Sequence, residues 1–246
     1  AMDMVGNTEA QRAQVDMVKS TATEMIQMVR ETAPKQMSVQ ELIVLAQQLA
    51  YWRDRLAGAP QELALPFTRP RPLRRTFGGG SVGLALDRDL AGGLRAIARR
   101  QNATLVMALL AGLRALLHRY TGQRDICIGM PAANRTTREV EALVGLFVNT
   151  IVLRWATSAD ASFAELVARE RAGALEAYAH QDTPFEMVID AASVERSLDR
   201  NPLFQVLFQI LYDTGEPPIA AWGDLAVELV ERPRGATHLD LDIAGV

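Results

Sequence analysis

Between Asn102 and Gly122 the chain reads NATLVMALLAGLRALLHRYTG, and this run constrains the fold more than any other. A helix of these residues is apolar nearly all round, and such a helix is stable only where other elements cover it on several sides. It belongs at the centre of a layered domain. Asn102 or Thr104 supplies the N-cap and Gly122 the stop.

The rest of the chain offers the covering layers. RDLAGGLRAIARRQ is an amphipathic helix, and DASFAELVARERAGALEAYAH is another, opened by a Ser162–Glu165 capping box. DICIGMPA and LFVNTIVLRW read as buried strands. FQVLFQILYD, LAVELVE and HLDLDIAG read as further strands, and SVGLALD alternates like one. Strands and helices in irregular succession predict layered α/β architecture rather than a doubly wound parallel sheet.

Ahead of this core, Val15, Val18, Ala22, Met25 and Val29 mark a narrow helical seam within residues 8–31, and Pro34 stops it. Ser38 and Glu41 predict a capping box, stapled by Met37 and Leu42, for a helix running to about Leu56. Pro60 to Pro72 reads as an extended, exposed connector, and RPRPLRR (Arg69 to Arg75) as solvated. FGGGS (Phe77 to Ser81) reads as a turn. Residues 1–47 are thus expected as a helical appendage and residues 48–246 as the main domain.

Composition narrows the function. The net charge of −3 arises from mixed signs and offers no basic field to nucleic acid. No apolar run approaches the roughly 18 residues of a membrane span. No basic-then-apolar start marks a secretory signal. The single cysteine, Cys127, lies in an apolar strand and is expected to be buried and unreactive. An intrachain disulfide is impossible, which suits the cytoplasm.

The stretch HQDTPFEMV (His180 to Val188) is the first candidate site, because it sets an imidazole, an amide and a carboxylate side by side. Thr183, Pro184 and Glu186 are explained by a capping box with proline at the first helical position. His180, Gln181 and Asp182 then read as a helix junction, with catalysis as the competing reading. His118 reads as a helix-end histidine near the negative end of the dipole. His238 and Asp240 share one face of a predicted strand. No histidine spacing suits a metal.

LVGLFVNTIVLR (Leu143 to Arg154), HQDTPFE (His180 to Glu186) and RSLDRNPLFQVLF (Arg196 to Phe208) occur in that order. Together they resemble three signature motifs of condensation domains of nonribosomal peptide synthetases. YWRDRLAGAP, the central helix with its following strand, and HLDL fit the same family, so the resemblance runs from about Gln48 to Val246. It implies a chloramphenicol acetyltransferase-like fold, used twice in the family as two lobes. It also implies amide formation between thioesters carried on phosphopantetheine arms of carrier proteins, in a tunnel between the lobes.

The family's catalytic His-His-x-x-x-Asp-Gly belongs to the first lobe and is absent here. Family members often carry Tyr-Arg-Gly after the proline-rich connector, its arginine bracing the aspartate of that motif. Here Gly78 stands in its place, with Arg74 or Arg75 as substitutes. The resemblance therefore implies a second, C-terminal lobe, incomplete at its end and non-catalytic alone.

Asn149, Phe147 and Thr150 would face the tunnel, where the Asn149 amide bonds a pantetheine or acyl carbonyl or else satisfies a backbone group at the strand end. His180, Gln181, Asp182, Pro184, Arg200, Asn201 and Pro202 would be structural, and His238 with Asp240 the residual candidates for chemistry. No cofactor or metal is expected to be bound. The expected partners are a peptidyl carrier protein or other synthetase domains, and residues 1–47 would cover exposed apolar surface or pair with a second copy. The alternatives are a transferase half completed by a first lobe in trans, and a small-molecule binder reusing the fold.

Overall fold

A computed structural model describes residues 38–67, 71–135, 138–158, 160–194, 197–210, 221–222, 225–226 and 235–245. The seam expected at Val15 to Val29 and the Met37 staple lie outside them, as does most of LAVELVE. The chain divides into two compact units, residues 1–57 with 182–193, and 58–181 with 194–246.

In the first unit, helix α1 (Val39–Leu56) starts as expected. Glu41 N–H donates to Ser38 Oγ at 3.3 Å, and Ser38 N–H to Glu41 Oε2 at 2.7 Å. These bonds hold the Glu41 carboxyl below its usual range. The helix runs through positions 47 and 48, so the boundary expected there falls inside one element. Leu45 and Leu49 form a core with Ala191 of helix α6 (Phe185–Ala191). The capping box expected at Thr183 does not form: α6 is capped by Pro184 without a side-chain bond. The buried Thr183 hydroxyl donates instead to Gln48 Oε1 at 2.8 Å.

The second unit holds helix α2 (Arg88–Arg100), α3 (Leu105–Thr121), α4 (Arg138–Glu141) and α5 (Phe163–Tyr178). Its strands are β1 (Asp125–Ala132), β2 (Asn149–Ala156), β3 (Val206–Ile210), the short pair β4 (Ala221–Trp222) and β5 (Leu225–Ala226), and β6 (Leu241–Gly245). One sheet has the order β2-β1-β3-β6. β1 and β2 pair antiparallel from Asp125–Ala156 to Ala132–Asn149, while β1–β3 and β3–β6 are parallel. Gly129 of β1 is required, because a Cβ there would run into the Phe204 ring.

α3 is capped by Thr104 and ended by Gly122 at φ 70°. Small residues let the helices close: Ala98 of α2, Ala108 and Ala111 of α3, and Leu166 and Val167 of α5 form one core. α3 is not uniformly apolar, however. Arg114 sits in it fully buried. Its Nε donates to Glu170 Oε2 of α5 at 2.9 Å, and its terminal nitrogens to the carbonyls of Ile126 and Leu153 at 2.5 and 3.1 Å. Trp155 Nε1 donates to the same carboxylate at 2.8 Å, and its ring lies 4.6 Å from the guanidinium carbon. One buried ion pair thus ties both helices to both antiparallel strands.

Three further expectations are corrected. SVGLALD forms no strand: Val82 and Leu84 are 96% and 89% exposed, and no described strand pairs with them. Alternation expresses a preference for pairing and cannot supply the partner. His238 and Asp240 precede β6 rather than lie in it. The connector is not wholly solvated, because the Arg71 side chain is 14% exposed and paired.

Candidate functional site

The expected tunnel residues surround the start of β2. Phe147 and Thr150 are half-buried, and Thr150 pairs with Pro131 in the ladder. The Arg135 guanidinium carbon lies 4.3 Å from the Phe147 ring centre. Arg135 also donates to the carbonyls of Val140 and, at 3.1 Å, Glu141, fastening the end of α4. Between these anchors Leu143, Val144, Leu146 and Val148 are exposed.

Asn149 Nδ2 donates to the Gln181 carbonyl at 2.7 Å. The amide thus satisfies a backbone group at the strand end, and it binds β2 to the turn after α5. His180 N–H donates to the Ala177 carbonyl at 3.1 Å. His180 Nδ1 lies 2.8 Å from the Glu176 carbonyl, which only accepts, so Nδ1 carries the hydrogen. His118 Nδ1 stands likewise 2.9 Å from the Gln123 carbonyl. Asp182 and Pro184 are exposed.

A second cluster gathers residues from distant parts of the unit. Both oxygens of Asp240 accept from Arg71, at 3.0 and 2.5 Å. This pairing raises the Arg71 pKa further, so the guanidinium stays charged. Among the described residues Arg71 Nε has no hydrogen-bond partner, and it lies 3.7 Å from Glu62 Oε1. Arg200 bridges Glu62 and Asp199 at 3.1 and 3.3 Å. The Ser197 hydroxyl bonds the Asp199 carboxylate and, with Arg200 and Arg71 near, holds it below its usual range.

Asn201 and Pro202 shape the turn before β3. Leu203 has φ 71°, with Phe204 N–H bonded to the Pro202 carbonyl at 2.9 Å, a γ-turn. Gln205 Nε2 donates to the Asn201 carbonyl at 3.0 Å, while its Oε1 accepts from Leu63 N–H at 2.7 Å.

Beside this cluster lies a cavity of about 120 Å³, with Arg71, Arg75, Phe77, Asp199, His238 and Asp240 in its wall. Arg75 donates to the His238 carbonyl at 2.8 Å, and the Phe77 and His238 rings meet edge to face at 5.5 Å. Asp240 therefore faces Arg71 and does not orient His238. The sequence reading missed Arg71, although an arginine amid prolines is a poor fit to a purely solvated connector. Cys127 is buried across from Arg154, whose partner is Asp125 at 2.6 Å. Among the described residues no group of His, Cys, Asp and Glu is placed to hold a metal.

A mixed sheet covered by helices, with its motif turns set at the sheet ends, defines a lobe of the layered chloramphenicol acetyltransferase-like class. The condensation domain model matches residues 14–246, and the chain belongs to the condensation domain family. The match begins at residue 14 rather than at Gln48 and so takes in much of the expected appendage.

A linear gramicidin synthase of Brevibacillus parabrevis is 50% identical over 165 residues, which are 67% of this chain and 3% of that protein. Phosphinothricin tripeptide synthetase PhsC of Streptomyces viridochromogenes is 46% identical over 164 residues, 67% of this chain and 15% of that one. The chain thus spans a small fraction of the curated relatives it matches. Among solved structures, the X-domain from teicoplanin biosynthesis superposes with a TM-score of 0.74 at 32% identity, covering 89% of this chain and 48% of that one.

Proposed function

We propose that the chain is the C-terminal lobe of a condensation domain of nonribosomal peptide synthesis. It does not form amides alone, and it acts by contacting a peptidyl carrier protein or another synthetase part. The observation that carries this is that the sequence holds no His-His-x-x-x-Asp-Gly motif, since no two of its three histidines are adjacent. The carboxylate nearest His238 in sequence, Asp240, is held by Arg71. Management of the attacking amine's proton needs a group free to take it and aimed at it. Asp240 is committed to Arg71 and does not orient His238 for that task.

On this reading the substrates arrive on phosphopantetheine arms, no cofactor is bound, and the protein works in the cytoplasm. The face near Asn149, Phe147 and Thr150 guides the arm. His180 to Pro184 and Arg200 to Pro202 shape the turns. Residues 1–47 cover apolar surface or pair with a second copy. The teicoplanin X-domain, which forms a complex with OxyB, gives a family precedent for a binding role.

A second reading, completion by a separate first lobe, is favoured by the exposed apolar run from Leu143 to Val148. One assay separates the two. Two loaded carrier proteins are supplied with and without an added first lobe bearing His-His-x-x-x-Asp-Gly. No product in either arm, with carrier binding retained, is the expected result. Product only with the lobe favours completion in trans. Product from this chain alone, lost in His238→Ala, would sink the proposal.

A further inference from the structure

Among the described residues, helix α2 is covered on one side only. Ala98 is buried in the core it shares with α3 and α5, and Ile97 packs against that core. The remaining surface carries Arg88, Arg95, Arg99 and Arg100, all exposed. Among the described residues none of the four has an ion-pair or hydrogen-bond partner through its side chain. Arg88, Gly92, Arg95 and Arg99 recur at i, i+4, i+7 and i+11. They therefore lie within about 60° of one another around the axis, on a stripe about 16 Å long.

At the C-terminal end of the stripe, Arg171 of α5 donates from Nε to the Asn102 carbonyl at 2.8 Å, which brings one more guanidinium beside the helix end. Asp87 and Asp89 flank only the start, and the Asp87 carboxylate is taken by Leu90 N–H at 2.7 Å. The whole chain carries a net charge of −3, so this is a local basic face on an acidic protein.

Gly92 supplies an independent observation. A glycine in mid-helix weakens the helix relative to alanine. Nothing in the described residues requires it, because a Cβ built there meets no atom within 4 Å. Its φ is not positive, so no special backbone conformation requires it either. What an absent side chain provides at that position is room for a second backbone to approach between Arg88 and Arg95.

We propose that the Arg88–Gly92–Arg95–Arg99 face of α2 is a docking surface for an acidic helix of a partner protein. The partner's carboxylates pair with the guanidiniums while its backbone lies over Gly92. The inference goes beyond the function proposed above and does not rest on it. Arginine's planar fork matches a carboxylate bidentately, and helical spacing on one side is met by helical spacing on the other. A nucleic acid fits less well. Its phosphates are reached by long arginine side chains without any gap at Gly92, and the surrounding acidic chain repels them.

The test uses the whole chain and a labelled, lactam-stapled alanine-based helix with glutamates at i, i+4, i+7 and i+11, followed by fluorescence anisotropy. Controls are the same helix with lysines and a short DNA duplex. The glutamate helix is expected to bind, more weakly as salt rises, and the lysine helix not to bind. Arg95→Ala is expected to weaken binding about tenfold, the scale of one close charge pair. Gly92→Ala should raise the melting temperature of the chain yet weaken binding several-fold, and Gly92→Gln should weaken it further. A purely structural glycine would not separate those two readouts. Binding unchanged in Arg95→Ala or in Gly92→Gln overturns the proposal. So does a duplex bound as tightly as the glutamate helix, which would make the stripe a general polyanion contact.

Discussion

Replacing Arg114 with methionine keeps the volume and the helix propensity of α3 and removes the charge. In the structure that change leaves the Glu170 carboxylate, 0% exposed, with Trp155 Nε1 as its one remaining donor among the described residues. It also strips the guanidinium from the carbonyls of Ile126 and Leu153. Removing one member of a buried pair costs about 3–5 kcal/mol, because the other charge stays desolvated. The expected loss is therefore a large part of the roughly 5–15 kcal/mol that stabilises a typical domain. For a chain of this size it lowers the melting temperature by roughly 6–20 °C.

Urea unfolding followed by tryptophan fluorescence and by circular dichroism measures it. The double variant R114M/E170M should recover part of the loss, since no charge is then stranded, while the two carbonyls still lack the guanidinium. Arg114→Met within about 1 kcal/mol of the parent would refute the reasoning, because a pair so enclosed cannot be both intact and dispensable.

Thr183→Val should destabilise by about 1 kcal/mol by stranding Gln48 Oε1, read as a lower urea midpoint. Gly129→Ala should cost roughly 1–3 kcal/mol through the clash with Phe204, and Phe204→Leu in the same chain should restore part of it. Asp199 has a lowered folded pKa, so its contribution is fully present above its unfolded value near pH 4 and is lost as pH falls through the lower folded value. Urea midpoints measured from about pH 6 down to about pH 2 should show that loss, and Ser197→Ala should shrink it.

What was legible in the sequence is what depends on near neighbours. DICIGMPA is β1 end to end, and the capping boxes of Ser38 and Ser162 form with their glutamates three residues on. The failures concern partners that local pattern does not contain. SVGLALD alternates but has no described strand beside it. Thr183 has the composition of a cap, but its hydroxyl donates to a half-buried acceptor 135 residues away. Arg114 meets Glu170 across 56 residues, and Arg71 meets Asp240 across 169. A charged residue inside an apolar helix announces that some buried partner exists. It does not say which of 29 acidic residues that partner is.

The motifs that carry the family resemblance owe their chemistry to the same accounting. Gln181 matters through its carbonyl, which accepts from Asn149, and Thr183 through a hydroxyl bonded to Gln48. Asn201 offers its carbonyl to Gln205, which in turn holds Leu63. Each of these polar groups bonds a buried or half-buried neighbour, so the motifs specify turns and strand ends. Motifs of that kind establish descent and fold, while activity depends on groups aimed at a reacting atom. Family membership and the absence of the His-His-x-x-x-Asp-Gly motif from this sequence are therefore compatible. Together they direct attention away from His180 and His238 and toward the surface contacts that the proposed function requires.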